Sequence, residues 1–74
     1  MAWTLDSAET EYRYIGSNGD VIARVRLIGI RGRWRWRSPL IEEGSRNPGC
    51  GTVDSYIAAI NGAEDFLRRV GAIS

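Results

Sequence analysis

The segment Gly32-Arg33-Trp34-Arg35-Trp36-Arg37-Ser38-Pro39 alternates cationic and aromatic side chains with period two. That period belongs to a β-strand with one buried face and one wet face. Trp34 and Trp36 fall on one side, and Arg33, Arg35 and Arg37 on the other. Burying three guanidinium groups without partners would cost far more than burying two indoles gains, so the indoles are expected to face the core. Pro39 has no N–H for a ladder and is expected to end the strand.

Upstream, Glu11-Tyr12-Arg13-Tyr14-Ile15-Gly16 and Asp20-Val21-Ile22-Ala23-Arg24-Val25-Arg26-Leu27-Ile28 flank Ser17-Asn18-Gly19. An Asn-Gly pair between two alternating runs is a strong hairpin signal, because both residues tolerate the positive φ of a type I′ turn. Counting outward from a two-residue Asn18-Gly19 loop opposes Gly16 to Val21, Ile15 to Ile22, Tyr14 to Ala23, Arg13 to Arg24, Tyr12 to Val25 and Glu11 to Arg26. Opposed residues share a face. Tyr12, Tyr14, Val21, Ala23, Val25 and Leu27 therefore form the expected core side. Glu11, Arg13, Arg24, Arg26 and the Ile15/Ile22 pair form the other. The Arg/Trp strand is expected to run antiparallel beside the longer arm, after a turn over Gly29-Ile30-Arg31-Gly32. Its indoles then join the Tyr/Val/Leu side.

Residues 2–6 alternate, with Trp3 and Leu5 on one side, and read as a short strand followed by a turn over Ser7–Thr10. From Pro39 to Thr52 the composition shifts to Pro, Gly, Ser, Asn and Glu, which reads mostly as a long loop, with room for Leu40-Ile41 to pair briefly, of the kind that is usually functional or mobile. Residues 53–70 read as a helix. Tyr56, Ile60, Ala63, Leu67 and Val70 recur at helical spacing, with Ile57 and Phe66 at the margins. Thr52, Asp54 and Ser55 are acceptable N-caps, and Gly71 suits the position just past the C-terminus. Gly62 costs about 1 kcal/mol against Ala on propensity. Close packing on a Trp or Tyr of the sheet is the expected reason.

These elements make one α+β domain over residues 1–74: three or four antiparallel strands, with one C-terminal helix packed on one face. Seventy-four residues lie near the lower limit for a single core without a disulfide, a metal or a partner subunit, so a homodimer is expected. The single Cys, Cys50, cannot form an intrachain disulfide, which fits a reducing cytoplasm. No basic segment followed by an apolar run opens the sequence, and no apolar run approaches membrane-spanning length. A cytoplasmic protein with no membrane partner is the expectation.

All ten basic residues are Arg. A GC-rich genome would produce this bias, and so would selection for a planar, bidentate donor to phosphates and carboxylates. The expected open sheet face gathers Arg13, Arg24, Arg26, Arg33, Arg35 and Arg37 against Glu11 alone, a balance of +5. The other four Arg and eight acids leave −4, and together these return the net +1. Like charges opposed across a sheet are destabilising, and an anion resting on this face would relieve them. The six Arg are therefore the candidate nucleic-acid or anion-binding residues, since a sheet face can enter a DNA groove or carry single strands. Two other readings stand beside this one. The Arg stems could shield the open sheet from aggregation, some pairing with Glu42 and Glu43. The face could equally dock on an acidic protein surface, including a second copy, as a small mobile-element-type protein would on a host partner. Trp34 and Trp36 could stack bases, but the cost of burying Arg assigns them to the core.

Catalysis has little to work with. The chain has no His and no Lys, which removes Ser-His and Cys-His pairs, Schiff bases and a Walker-type phosphate loop. One Cys without His makes no ordinary zinc site. Glu42-Glu43 are adjacent on a loop, and the sequence offers Cys50 no partner that would lower its pKa. Neither an enzyme nor a cofactor is expected.

Trp3–Leu5, Glu11-Tyr12-Arg13-Tyr14, Asn18-Gly19-Asp20-Val21-Ile22-Ala23 and the run from Ser55 through Ala58-Ala59-Ile60-Asn61-Gly62-Ala63-Glu64 resemble the YegP-like family of small proteins. The match covers roughly half the chain, and the Arg/Trp strand and the segment after it are insertions relative to that pattern. The resemblance implies an antiparallel sheet with one helix and a dimer, and no known activity. Gly51-Thr52-Val53-Asp54-Ser55 followed by Ala58-Ala59 is similar to the entry into the helix of the plant ethylene-response domain. That domain and the arm-type domain of tyrosine integrases are three-stranded DNA-binding sheets with a C-terminal helix. By that similarity, the Arg-bearing strands would be the ones to carry DNA binding.

Overall fold

The computed structural model describes residues 2–5, 11–29 and 32–73. Five antiparallel strands, β1 (Ala2–Leu5), β2 (Glu11–Ile15), β3 (Val21–Ile28), β4 (Arg33–Ile41) and β5 (Pro48–Val53), are followed by one helix, α1 (Tyr56–Arg69). The sheet is a meander in which every strand lies beside its neighbour in sequence. The architecture is α+β with a C-terminal helix, and its sheet has five strands rather than three or four. The turn expected over Ser7–Thr10, Asp6 at the end of the first strand, and Ile30-Arg31 lie outside the described residues.

The strand missing from the sequence reading is β5, which occupies the expected 39–52 loop. Pro39 does not end β4. The ladder between β4 and β5 runs from Trp34↔Val53 to Arg37↔Cys50, then resumes at Ile41↔Pro48 with its register shifted. Pro39 falls in that shift, where no ladder N–H is required of it. Ser38, buried at 4% exposure, supplies the missing bonding: its hydroxyl donates to the Ile22 carbonyl at 2.7 Å and accepts from the Leu40 N–H at 3.1 Å. Residues Glu42 to Asn47 make the turn, with Gly44 at φ 86° and Ser45 N–H donating to the Glu42 carbonyl.

The β2–β3 pairing agrees with the count from Glu11↔Arg26 to Tyr14↔Ala23, then departs from it, because Ile15 faces Val21. Ile22 is an extra residue in β3. The loop is accordingly three residues, Ser17-Asn18-Gly19, with Gly16 N–H donating to Asp20 O and Gly19 N–H to Gly16 O. Gly19, at φ 88°, supplies the left-handed residue that closes such a loop. The wider loop and the bulge cancel, so all pairs below Ile15 keep the expected register. Above it, the two side chains exchange roles. Ile22 packs against the core, and Val21 lines the Arg-bearing side.

The helix lies over β3, β4 and β5. It begins at Tyr56, with the Ser55 hydroxyl accepting from Ala58 N–H at 3.2 Å, and ends at Arg69, shorter than the expected 53–70. At its end Gly71 adopts φ 79°, with its N–H on Arg68 O and Ala72 N–H on Leu67 O, which satisfies carbonyls the helix leaves open. Ala23, Val25, Trp36, Ala59, Ala63, Phe66 and Leu67 form the buried core. Phe66, expected at the margin, is buried. Tyr56, expected within the buried stripe, is 44% exposed and stacks instead on Tyr12, with ring centroids 6.0 Å apart.

Glycine sets how close the layers come. The Trp36 indole lies against backbone from two directions: a Cβ at Gly51 would overlap it, and one at Gly62 would sit 2.8 Å from its Nε1. Gly62 thus has the close contact with a sheet Trp that its low helix propensity suggested. Gly49 makes the same allowance for the Phe66 ring. Trp3 is partly buried and ties β1 to the helix, its indole N–H donating to Glu64 Oε2 at 2.9 Å.

Candidate functional site

Strand alternation and the observed register place Arg13, Arg24, Arg26, Arg33, Arg35 and Arg37 on the sheet face away from the helix. They fall in cross-strand rows. One row runs Thr4, Arg13, Arg24, Arg37, Cys50 across all five strands. The next runs Glu11, Arg26, Arg35, Thr52, and a third pairs Ile28 with Arg33. Neighbouring strands are about 4.7–4.9 Å apart, and same-face residues on one strand about 6.5–7 Å apart. The guanidinium groups therefore rise from a closely spaced grid.

Glu11 answers part of this charge. Its Oε2 accepts from Arg13 Nε at 2.9 Å and from Arg24 at 3.0 Å, bridging the directly opposed Arg13/Arg24 pair. Partial burial alone would push the Glu11 carboxyl up, but hydrogen bonds and charge from Arg13 and Arg24 outweigh it and hold the pKa below the ordinary glutamate value. Arg26 faces Arg35, Arg24 faces Arg37, and among the described residues no carboxylate lies within ion-pair distance of Arg26, Arg33, Arg35 or Arg37. Of Glu42 and Glu43, which the shielding reading offered as partners for this face, Glu42 meets Arg69 of the helix instead, at 3.4 Å.

Glu11, Arg24, Arg26, Arg35 and Arg37 line an open concavity of about 810 Å³ together with Pro39, Asn47 and Pro48. Val21 and Cys50 also line it. In the sequence Cys50 lies in a stretch of loop composition, and the Ile22 bulge that turns Val21 to this side leaves no composition signal. All seven aromatic residues occupy the opposite side, in contact with one another: Trp3 edge-on to Tyr14, Tyr12 and Tyr56 with Trp34, and Trp36 with Phe66.

Among the described residues no group of His, Cys, Asp or Glu could hold a metal ion. Nor, among these residues, is any helix long and apolar enough to cross a membrane. No family model, curated protein or solved structure matches the chain.

Proposed function

We propose that the protein is a non-catalytic binding module that contacts nucleic acid through its Arg-bearing sheet face. The observation carrying this reading is the juxtaposition of Arg26 with Arg35 and of Arg24 with Arg37, with no carboxylate among the described residues within ion-pair distance of Arg26, Arg35 or Arg37. Like charges in opposed positions repel, and a polyanion laid on the grid would turn that repulsion into attraction. Arg suits the task, because its fork meets two phosphate oxygens at once. Fluorescence anisotropy with labelled DNA and RNA oligonucleotides tests the reading. Binding at low salt that weakens steeply with added salt is expected, with a smaller log–log slope in an Arg24→Ala/Arg35→Ala variant. No binding at low salt would end it.

A second reading, a protein-interaction module that works as a homodimer, is favoured by a different observation. Leu5, Leu27, Tyr56 and Ile57 are all exposed. Leu5 and Leu27 lie on the helix side of the sheet and Tyr56 and Ile57 open the helix, so a dimer formed there would leave the Arg face uncovered. Light scattering at several concentrations, on the wild type and on Leu27→Glu, separates the two. A dimer that Leu27→Glu dissociates without loss of oligonucleotide binding makes the readings compatible.

A further inference from the structure

From the distribution of aromatic rings and guanidinium groups we infer that the Arg face is built for the outward phosphates of a double helix rather than for the bases of a single strand. This rests on the nucleic-acid reading above and narrows its ligand.

Proteins that hold single strands combine a basic groove with aromatic side chains on which bases stack, each stacked base contributing about 1–3 kcal/mol. Here the rings are committed elsewhere. Trp3, Tyr12, Tyr14, Trp34 and Trp36 point toward the helix side and pack on the core or on one another. The neutral members of the cross-strand rows are Thr4, Cys50 and Thr52 at the row ends and Ile28 opposite Arg33, none of which offers a π-face or a side-chain amide. A base arriving at this surface finds charge and little to stack on.

A duplex asks for something different. Its bases are already stacked inside, and its exterior carries one negative charge per roughly 1.7 Å of axis. A grid of cations repeating at about 5 and about 7 Å, several of them lining an open concavity, can engage several phosphates of such a rail at once. Phosphate contacts also release more counterion per contact from a duplex than from a single strand. Four Arg without carboxylate partners among the described residues, Arg26, Arg33, Arg35 and Arg37, give a slope of log affinity against log salt of about −3.6 for a duplex and about −2.8 for a single strand. The duplex value is a loss of roughly 150-fold between 50 and 200 mM salt.

Anisotropy titrations with equal-length single-stranded DNA, duplex DNA and duplex RNA, with Trp emission recorded in parallel, test the inference. Both duplexes share the phosphate rail, and the two duplex arms show whether B-form or A-form spacing fits the grid better. The expected result is duplex binding roughly tenfold or more tighter than single-strand binding, with Trp emission nearly unchanged at saturation and the duplex slope near −3.6. Arg35→Ala/Arg37→Ala should lower that slope by about 1.8, while Arg68→Ala, on the helix, leaves it unchanged. Single-strand binding as tight as duplex binding, or strong Trp quenching by a single strand, overturns the inference and leaves the broader nucleic-acid reading standing. Failure of all three oligonucleotides removes both.

Discussion

The Ser38 hydroxyl donates to the Ile22 carbonyl oxygen at 2.7 Å and so joins the irregular points of two neighbouring strands. Ile22 is the extra residue of β3, and Ser38 begins the register shift of β4. One buried side chain bonds a backbone group at each irregularity, since Leu40 N–H donates to the same oxygen. Ser38→Ala would strand both groups in a buried setting, where an unpaired polar group costs about 1–3 kcal/mol. The urea midpoint should fall by the corresponding amount with the denaturant slope unchanged. A variant as stable as the wild type would show that this hydroxyl does not support the bend.

The glycines of β5 are spaces for rings from elsewhere in the chain. Gly49→Ala should destabilise by about 1–3 kcal/mol, because its Cβ overlaps the buried Phe66 ring. Phe66→Leu alone should also destabilise. The double variant should lose less than the two single losses combined, because a narrower side chain gives the new methyl room. Additive losses would place the cost of Gly49→Ala in the strand backbone instead.

Glu11 links stability and binding with opposite signs. Its pKa is lowered in the folded state, so the stability it contributes is complete above the ordinary value near 4.5 and disappears as pH falls through the lowered one. Glu11→Gln should therefore cost about 1 kcal/mol at neutral pH, and the difference from wild type should vanish in acid. The same change removes the carboxylate that bridges Arg13 and Arg24, so oligonucleotide affinity should rise. Thermal unfolding across pH 2–7 and anisotropy at fixed salt read the two effects separately.

Cys50 offers a native reporter. It is exposed, lines the concavity and lies opposite Arg37. A bound oligonucleotide should slow its alkylation by iodoacetamide, and Cys50→Ser should keep full affinity, because no contact of the ligand is assigned to the thiol. Unchanged alkylation at saturation would move the binding surface off this side of the sheet.

What the sequence revealed and what it hid have distinct physical causes. The pairing of Arg13 with Arg24 and the sidedness of Trp34 and Trp36 were legible because period-two alternation and an Asn-Gly turn act over a few residues. Strand β5 was not legible. Pro48-Gly49-Cys50-Gly51 has the composition of a loop, and its glycines are explained only by Phe66 and Trp36, which arrive from other elements. Pro39 misled for a related reason, since its tolerance depends on a register shift stabilised by Ser38 and Ile22 from another strand. The Arg rows could be inferred on β2, β3 and β4. That Glu11 bridges one pair while Glu42 turns away to Arg69 required coordinates.

The meander also keeps its strand pairings local along the chain. Because each strand's neighbour in the sheet is its neighbour along the chain, every pairing closes a short loop at small entropic cost, and none has to wait for a distant segment. The helix comes last and is the cover for Trp36. A chain emerging from the ribosome can therefore complete its ladders while its greasy side is still naked, and in that interval it is most at risk of sticking to other nascent chains.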